Sequence, residues 1–322
     1  MAIFKAAVVQ LSISDLSNKS WPEVEKKLIF LFSQGVESGA DLVVFPALTG
    51  LLFSPESRKS LEYGFDHKTV QLVSRLSGFW TKEWLDFFTS LARNYRVLVV
   101  PGSSLEPTKD GMLHRAYLIG ENGEELLVQD QTHFTLSQQG IKFQPGDSLE
   151  IAETSVGKIG LILSEDVWLP EIGRILALEG ADLLINLQAV RNFYDYRRQL
   201  AGSWQVAQSN LVYVIESCLV GRGIGLSYQG LSAIFASRSV QPNAGILVHI
   251  DPLFTKLEEI DLGYMISPQK EKEGVLIRNL DLDLLAKHRQ ERSMGRPPYL
   301  TELSQVYTDQ VAVNRTLGGE ER

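Results

Sequence analysis

Along the chain, apolar and polar positions alternate between two periods. Short runs rich in β-branched residues recur at residues 3–10, 42–45, 97–102, 116–119, 159–163, 183–186, 212–216 and 231–235, each with the length and composition of a β-strand. Between them, apolar residues fall three and four apart. Residues 21–38 place Val24, Leu28, Leu31, Phe32 and Val36 on one helical face, and residues 80–94 do the same with Trp84, Phe87, Phe88 and Leu91. Residues 170–179 (Ile172, Ile175, Leu176, Leu178) and 197–209 read as further helices. Strands alternating with helices predict an α/β fold. The runs 116–120 and 125–129 flank Asn122-Gly123, a hairpin turn signal, so the sheet is expected to be mixed rather than purely parallel.

No repeat, linker or low-complexity stretch divides the 322 residues, and one domain is expected over residues 1–294. Residues 295–322 change character, from Arg296-Pro297-Pro298 to a Gly- and Glu-rich end, and read as an extended arm or frayed tail. A net charge of −8 disfavours a nucleic-acid backbone as partner. The single cysteine, Cys218, excludes an intramolecular disulfide and a thiol-rich metal site, and reads as a small buried side chain. His67, His114, His133, His249 and His288 show no metal-ligand spacing, so neither a metal nor another cofactor is expected. The start of the chain lacks a secretory pattern, and no run approaches the roughly eighteen apolar residues of a membrane span. A soluble cytoplasmic protein is the expectation.

Three segments carry most of the chemical information: GADLVVFPALTG at 39–50, VQDQTHFTLSQQGIKFQPGD at 128–147, and GKIGLILSEDVWLPEIGRILALEGADLLIN at 157–186. With AAVVQ (6–10), NLVYVIES (210–217), GLSAIF (230–235) and RPPYLTELSQVY (296–307), they resemble the nitrilase superfamily of carbon–nitrogen hydrolases in order and spacing. The resemblance implies a four-layer α-β-β-α sandwich of two mixed sheets. It also implies a homodimer or higher oligomer, with the C-terminal arm crossing the interface. In that family a cysteine thiolate attacks a nitrile or amide carbon, a glutamate serves as base, a lysine steadies the oxyanion, and a second glutamate helps position base and substrate.

Carried onto this chain, the resemblance puts Ala47 at the first glutamate and Gln131 at the lysine, with His133 fixing the register. The second glutamate falls on Gln138, or on Gln139 if the loop shifts by one, and the nucleophile on Ser164. On a later helix Ser209 stands where a glutamate is usual, and Asn210 is kept. The expected protein is a non-catalytic homologue that binds a small molecule or acts as a scaffold or partner subunit. Its pocket candidates are Ala47, Gln131, His133, Ser164, Glu165, Trp168, Asn186 and Phe193. The alternative is a divergent carbon–nitrogen hydrolase using Ser164, with His133 as base and Glu165 or Asp166 orienting it. A serine needs a positioned base more than a cysteine does, and neither alanine nor glutamine can supply one.

The retained residues read as framework. Pro170 suits a first helical turn, Asp166 can accept backbone N–H groups at the strand-to-helix bend, and Glu171 and Arg174 sit one turn apart. The aromatics Trp168, Phe193, Tyr194 and Tyr196 have two readings, the lining of a ligand pocket and, more commonly, core or interface; Arg191, Arg197 and Arg198 read as an anion site or, more commonly, as a solvated face. The glycine-rich stretch 221–230 precedes a strand rather than opening a helix, which excludes a dinucleotide loop.

Overall fold

The computed structural model describes residues 3–14, 16, 19–53, 58, 67–134, 143–191, 196–222, 227–241, 245–250 and 272–292. Gln138, Gln139, Phe193, Tyr194 and the arm 295–322 lie outside the described residues.

Among the described residues, fourteen strands form one curled, mixed sheet: β1 Ile3–Ser12, β2 Leu42–Val44, β3 Leu98–Val100, β4 Ser103–Pro107, β5 Met112–Ile119, β6 Glu125–Asp130, β7 Ile151–Thr154, β8 Gly157–Leu163, β9 Leu183–Gln188, β10 Tyr213–Arg222, β11 Ser227–Tyr228, β12 Ala233–Phe235, β13 Ile246–His249 and β14 Gly274–Asp281. The order is β4-β5-β3-β2-β1-β10-β9-β8-β7. Strands β8, β9 and β10 are parallel and almost wholly buried, which is why they read as unbroken apolar runs rather than alternating ones. The expected hairpin is β5–β6, with Gly123 at φ +84° in its turn. Among the described residues, the two halves of the sheet are paired only where β1 runs beside β10, at Leu11↔Leu219 and Ser12↔Val220.

One apolar cluster joins residues of both halves, including Val8, Val43 and Val99 from one and Leu161, Ile185 and Ile215 from the other. A second cluster lies on the outer face of β8–β10, under the helices α3 Pro170–Leu178 and α5 Gln205–Asn210. On the other half, α1 Trp21–Glu37 buries Val24, Leu28, Leu31 and Phe32. Its Gly35 sits so close that an added Cβ would lie 2.7 Å from that of Ala7.

Helix α2 spans His67–Tyr95 and so starts well before the expected residue 80. Gly78 lies inside it, at a cost of about 1 kcal/mol that a long helix absorbs. The single helix expected at 197–209 is instead α4 Tyr196–Gln199, a π-helical stretch Leu200–Trp204, and α5. The break is at Gly202 (φ −103°, ψ −105°), whose missing side chain makes room for the Trp168 indole; a Cβ there would be 2.9 Å from its Nε1. Strands β4, β7, β11, β13 and β14 and the helix α6 Leu282–Arg292 were not expected, being short, half-exposed or polar.

Candidate functional site

After β2 the chain turns sharply through Pro46, Ala47 and Leu48. Gly102 (φ +89°) lets strand β3's continuation press against this turn, since a Cβ there would lie 2.1 Å from the Pro46 carbonyl oxygen. Leu48 is left-handed at φ +62°, a conformation that costs a non-glycine residue about 1 kcal/mol or more. Its N–H donates to Ser103 Oγ at 2.9 Å, which offsets part of that strain. Ala47 is completely buried beside it.

From Ser103 a buried relay runs inward. Ser103 Oγ is 2.6 Å from His114 Nε2, and His114 Nδ1 is 2.7 Å from Gln131 Oε1. Gln131 Nε2 donates to the His133 carbonyl at 2.6 Å. The carboxamide orientation fixes every other direction. Its oxygen can only accept, so His114 carries its proton on Nδ1, leaving Nε2 to accept from the Ser103 hydroxyl. Burial holds the His114 imidazole below its ordinary pKa, which suits this neutral tautomer. Gln131 is therefore occupied at both ends and has no exposed surface.

Ser164 begins the turn Ser164–Trp168 that joins β8 to α3, and it is also left-handed, at φ +50°. Among the described residues its hydroxyl has no hydrogen-bond partner, whether His133 or a carboxylate. Asp166, 2 % exposed, accepts from the Thr132 N–H at 2.8 Å and the His133 N–H at 2.9 Å. It was expected to cap its own bend; instead it clamps the segment that follows Gln131. The His133 ring is half exposed, with Nδ1 2.8 Å from Thr132 Oγ1 and 3.5 Å from Asp166 Oδ1. The Asp166 contact raises the His133 pKa. A continuous polar path thus connects the neighbourhoods of Ala47, Gln131 and Ser164.

A second network holds the elbow from behind. Gln188 Nε2 donates to the Ser164 carbonyl at 2.8 Å and lies 3.0 Å from Asn186 Oδ1, while Asn186 Nδ2 donates to Ser203 Oγ at 2.8 Å. Asn186 is thus a buried strut behind the turn. The network ends at Glu216, which sequence reasoning missed although a lone acid in the apolar run YVIESCLV was a signal. Glu216 is 4 % exposed, and burial pushes its carboxyl up to about 7, with Ser203, Gln199, Cys218 and Asn186 opposing that rise. Cys218 is a buried side chain, as expected, and its Sγ lies 3.7 Å from Glu216 Oε1. Burial raises its thiol well above the ordinary range, and Gly230 covers the sulfur, so it is not a nucleophile.

Glu165 and Trp168 meet through Arg198, whose guanidinium is 3.5 Å from Glu165 Oε2 and 4.1 Å above the Trp168 ring. Trp168 Nε1 donates to the Arg198 carbonyl at 2.9 Å. The Glu165 carboxyl is raised by burial, with Arg198 and Arg191 opposing that rise. Pro170 opens α3 as expected. Glu171 and Arg174 line a groove of about 440 Å³ between α3 and α5, and Arg174 reaches Asn210 Oδ1 at 3.4 Å. Ser209, also in the groove, bonds the Gln205 carbonyl. Among the described residues no three His, Cys, Asp or Glu side chains group as metal ligands, and no helix is long and apolar enough to cross a membrane.

Comparison with known proteins agrees with this architecture. The carbon–nitrogen hydrolase family model matches residues 5–290. A probable hydrolase, YhcX of Bacillus subtilis, is 24 % identical over 280 residues, covering 84 % of this chain and 49 % of the relative. A citrullinase of Francisella tularensis is 26 % identical over 194 residues, covering 59 % of this chain and 63 % of the relative. The chain therefore spans about half to two thirds of these two relatives. A carbon–nitrogen hydrolase structure from Helicobacter pylori G27 superposes with a TM-score of 0.70 at 22 % identity, over 94 % of this chain and 98 % of the other.

Proposed function

Because this chain belongs to the carbon–nitrogen hydrolase family, we propose that it keeps the family's pocket as a frame for binding or docking, without hydrolytic chemistry. The observation that carries this reading is the state of Gln131. Where the resemblance puts a lysine, a neutral carboxamide is held at one end by His114 and at the other by the His133 carbonyl. No ammonium is offered to an oxyanion, and Ala47 offers no base. In this reading the protein is a cytoplasmic homodimer or partner subunit that takes a small molecule at, or a protein beside, the emptied pocket.

One observation favours the rival reading of a serine-based hydrolase: Ser164 has a left-handed backbone in the half-buried turn between strand and helix. That reading needs a base at Ser164 Oγ, and His133 faces Thr132 and Asp166 instead. The discriminating experiment treats the protein with amide, nitrile and carbamoyl substrates and with a fluorophosphonate, followed by intact mass. The expected result is neither turnover nor adduct. Labelling at Ser164 that disappears in Ser164→Ala overturns the proposal.

A further inference from the structure

Ion pairs that tie distant parts of this fold together are tight. Arg115 grips Asp130 with its guanidinium fork at 2.7 and 2.8 Å, and Arg289 reaches Asp182 at 2.6 Å. The pair beside the Ser164 turn is built differently. Arg198 Nη2 lies 3.5 Å from Glu165 Oε2, the outer limit of a hydrogen bond, and this is the one polar contact of its guanidinium among the described residues. A guanidinium carries five in-plane N–H donors, so most of those of Arg198 meet no acceptor there. Glu165 Oε1 meets no donor among the described residues either, and burial still raises this carboxyl with the guanidinium beside it. The Arg198 and Glu165 side chains are 40 % and 29 % exposed, so their unfilled positions are open to solvent.

Arg198 is nevertheless held in place. Its backbone carbonyl accepts from Trp168 Nε1 at 2.9 Å, and its guanidinium lies 4.1 Å above the ring of the same indole. Stacking occupies one face of the guanidinium and leaves its edge, where the donors lie, available. Glu165 and Trp168 both belong to the turn Ser164–Trp168, which the Gln188 bond to the Ser164 carbonyl steadies. A positioned cation and a positioned anion thus stand side by side in the turn whose first residue, Ser164, has a hydroxyl with no partner among the described residues. A half-exposed pair this loose contributes little to stability, so exchanging it for a ligand that brings both charges costs little.

We propose that Glu165 and Arg198 form the head-group site for a free α-amino acid, whose carboxylate takes the in-plane donors of Arg198 while its ammonium takes Glu165. An α-amino acid carries its two charged groups on one carbon atom, and this matches a guanidinium and a carboxylate that already adjoin. A ligand with only one charge satisfies one of the two and leaves the other as it was. The site names a ligand class for the emptied pocket, and it rests on the reading of that pocket as a binding frame.

The test is thermal unfolding of the whole protein with each proteinogenic L-amino acid in turn, followed by calorimetric titration of those that raise the midpoint. At least one is expected to stabilise. Its deaminated acid and its decarboxylated amine are each expected to bind the unaltered protein about tenfold more weakly or worse, because each forgoes one charge-assisted contact. Arg198→Gln and Glu165→Gln are expected to weaken the amino acid by a similar factor, whereas Glu165→Gln leaves the deaminated acid no weaker. A merely structural pair would lower both ligands alike. The assignment is overturned if no amino acid shifts the midpoint, if the acid or the amine binds as well as the zwitterion, or if either variant binds the amino acid unchanged. The analogue comparison needs no variant and decides even where a substitution folds poorly. Ammonia released from an amino acid bound with this selectivity supports the site while overturning the non-catalytic reading, so the two failures are distinguishable.

Discussion

Gln131 has no exposed surface, and its two carboxamide atoms meet a ring nitrogen that donates and a carbonyl that accepts. A lysine placed there faces the His114 Nδ1–H, a donor, and finds no carboxylate in the place of Ala47. Gln131→Lys is therefore expected to destabilise by about 3 kcal/mol or more, the scale of an unpaired buried charge. Urea unfolding measures this, and an unchanged midpoint would show that the relay has room to accept a cation. The sequence singled out Gln131 through the resemblance, with His133 two positions on setting the register. Its partners were not. Ser103 and His114 reach it only through the β4–β5 pairing and the Gln131 N–H bond to the His114 carbonyl at 2.9 Å, which no local pattern announces.

Two turns and one interrupted helix matter more than any regular element. Strands β1, β2, β3, β5, β6, β8, β9, β10 and β12 and helix α1 could be read from the apolar pattern, because burial on both faces or along one stripe leaves a clear signature. Residues 196–210 carried a helical signature too, but periodicity cannot register a π insertion; only Gly202 and the distant Trp168 indole account for it. The elbow Ser164–Trp168 was expected to be self-capped by Asp166, and its carboxylate instead accepts two N–H groups from the segment after β6. Asp166→Ala is accordingly expected to cost about 3 kcal/mol, as two charge-assisted bonds and their buried donors are lost. It should also speed exchange at the Thr132 and His133 amides selectively. If exchange rises uniformly over the protein instead, the clamp is not what orders that segment.

The molecule as a whole carries a buried acid whose titration tells on stability. The folded pKa of Glu216, about 7, lies above its ordinary value of 4.5, so the folded state binds the extra proton between those limits. Stability from this group is complete below the ordinary value, declines as pH rises, and is lost above about 7, a change of about 3 kcal/mol. Glu106, also raised by burial, changes in the same direction, whereas His114, lowered by burial, penalises acidification. The contribution of Glu216 is therefore read as a difference: Glu216→Gln should gain on the unaltered protein from mildly acidic to mildly alkaline buffer. Equal unfolding midpoints for the two proteins at both ends would remove Glu216 from the account. The overall architecture was legible in the sequence because it rests on long apolar runs. This acid was harder to weigh, since its environment is assembled from β9, β10, α4 and the π-helical stretch. The Asp166 clamp has a consequence at the same scale. Among the described residues the halves of the sheet share two paired positions along β1 and β10, and Asp166 belongs to one half while Thr132 and His133 follow the other. It acts as a rivet across a seam, and the holding of Thr132 and His133 against the Ser164–Trp168 turn is a structural duty that this acid performs whatever chemistry the neighbouring pocket has.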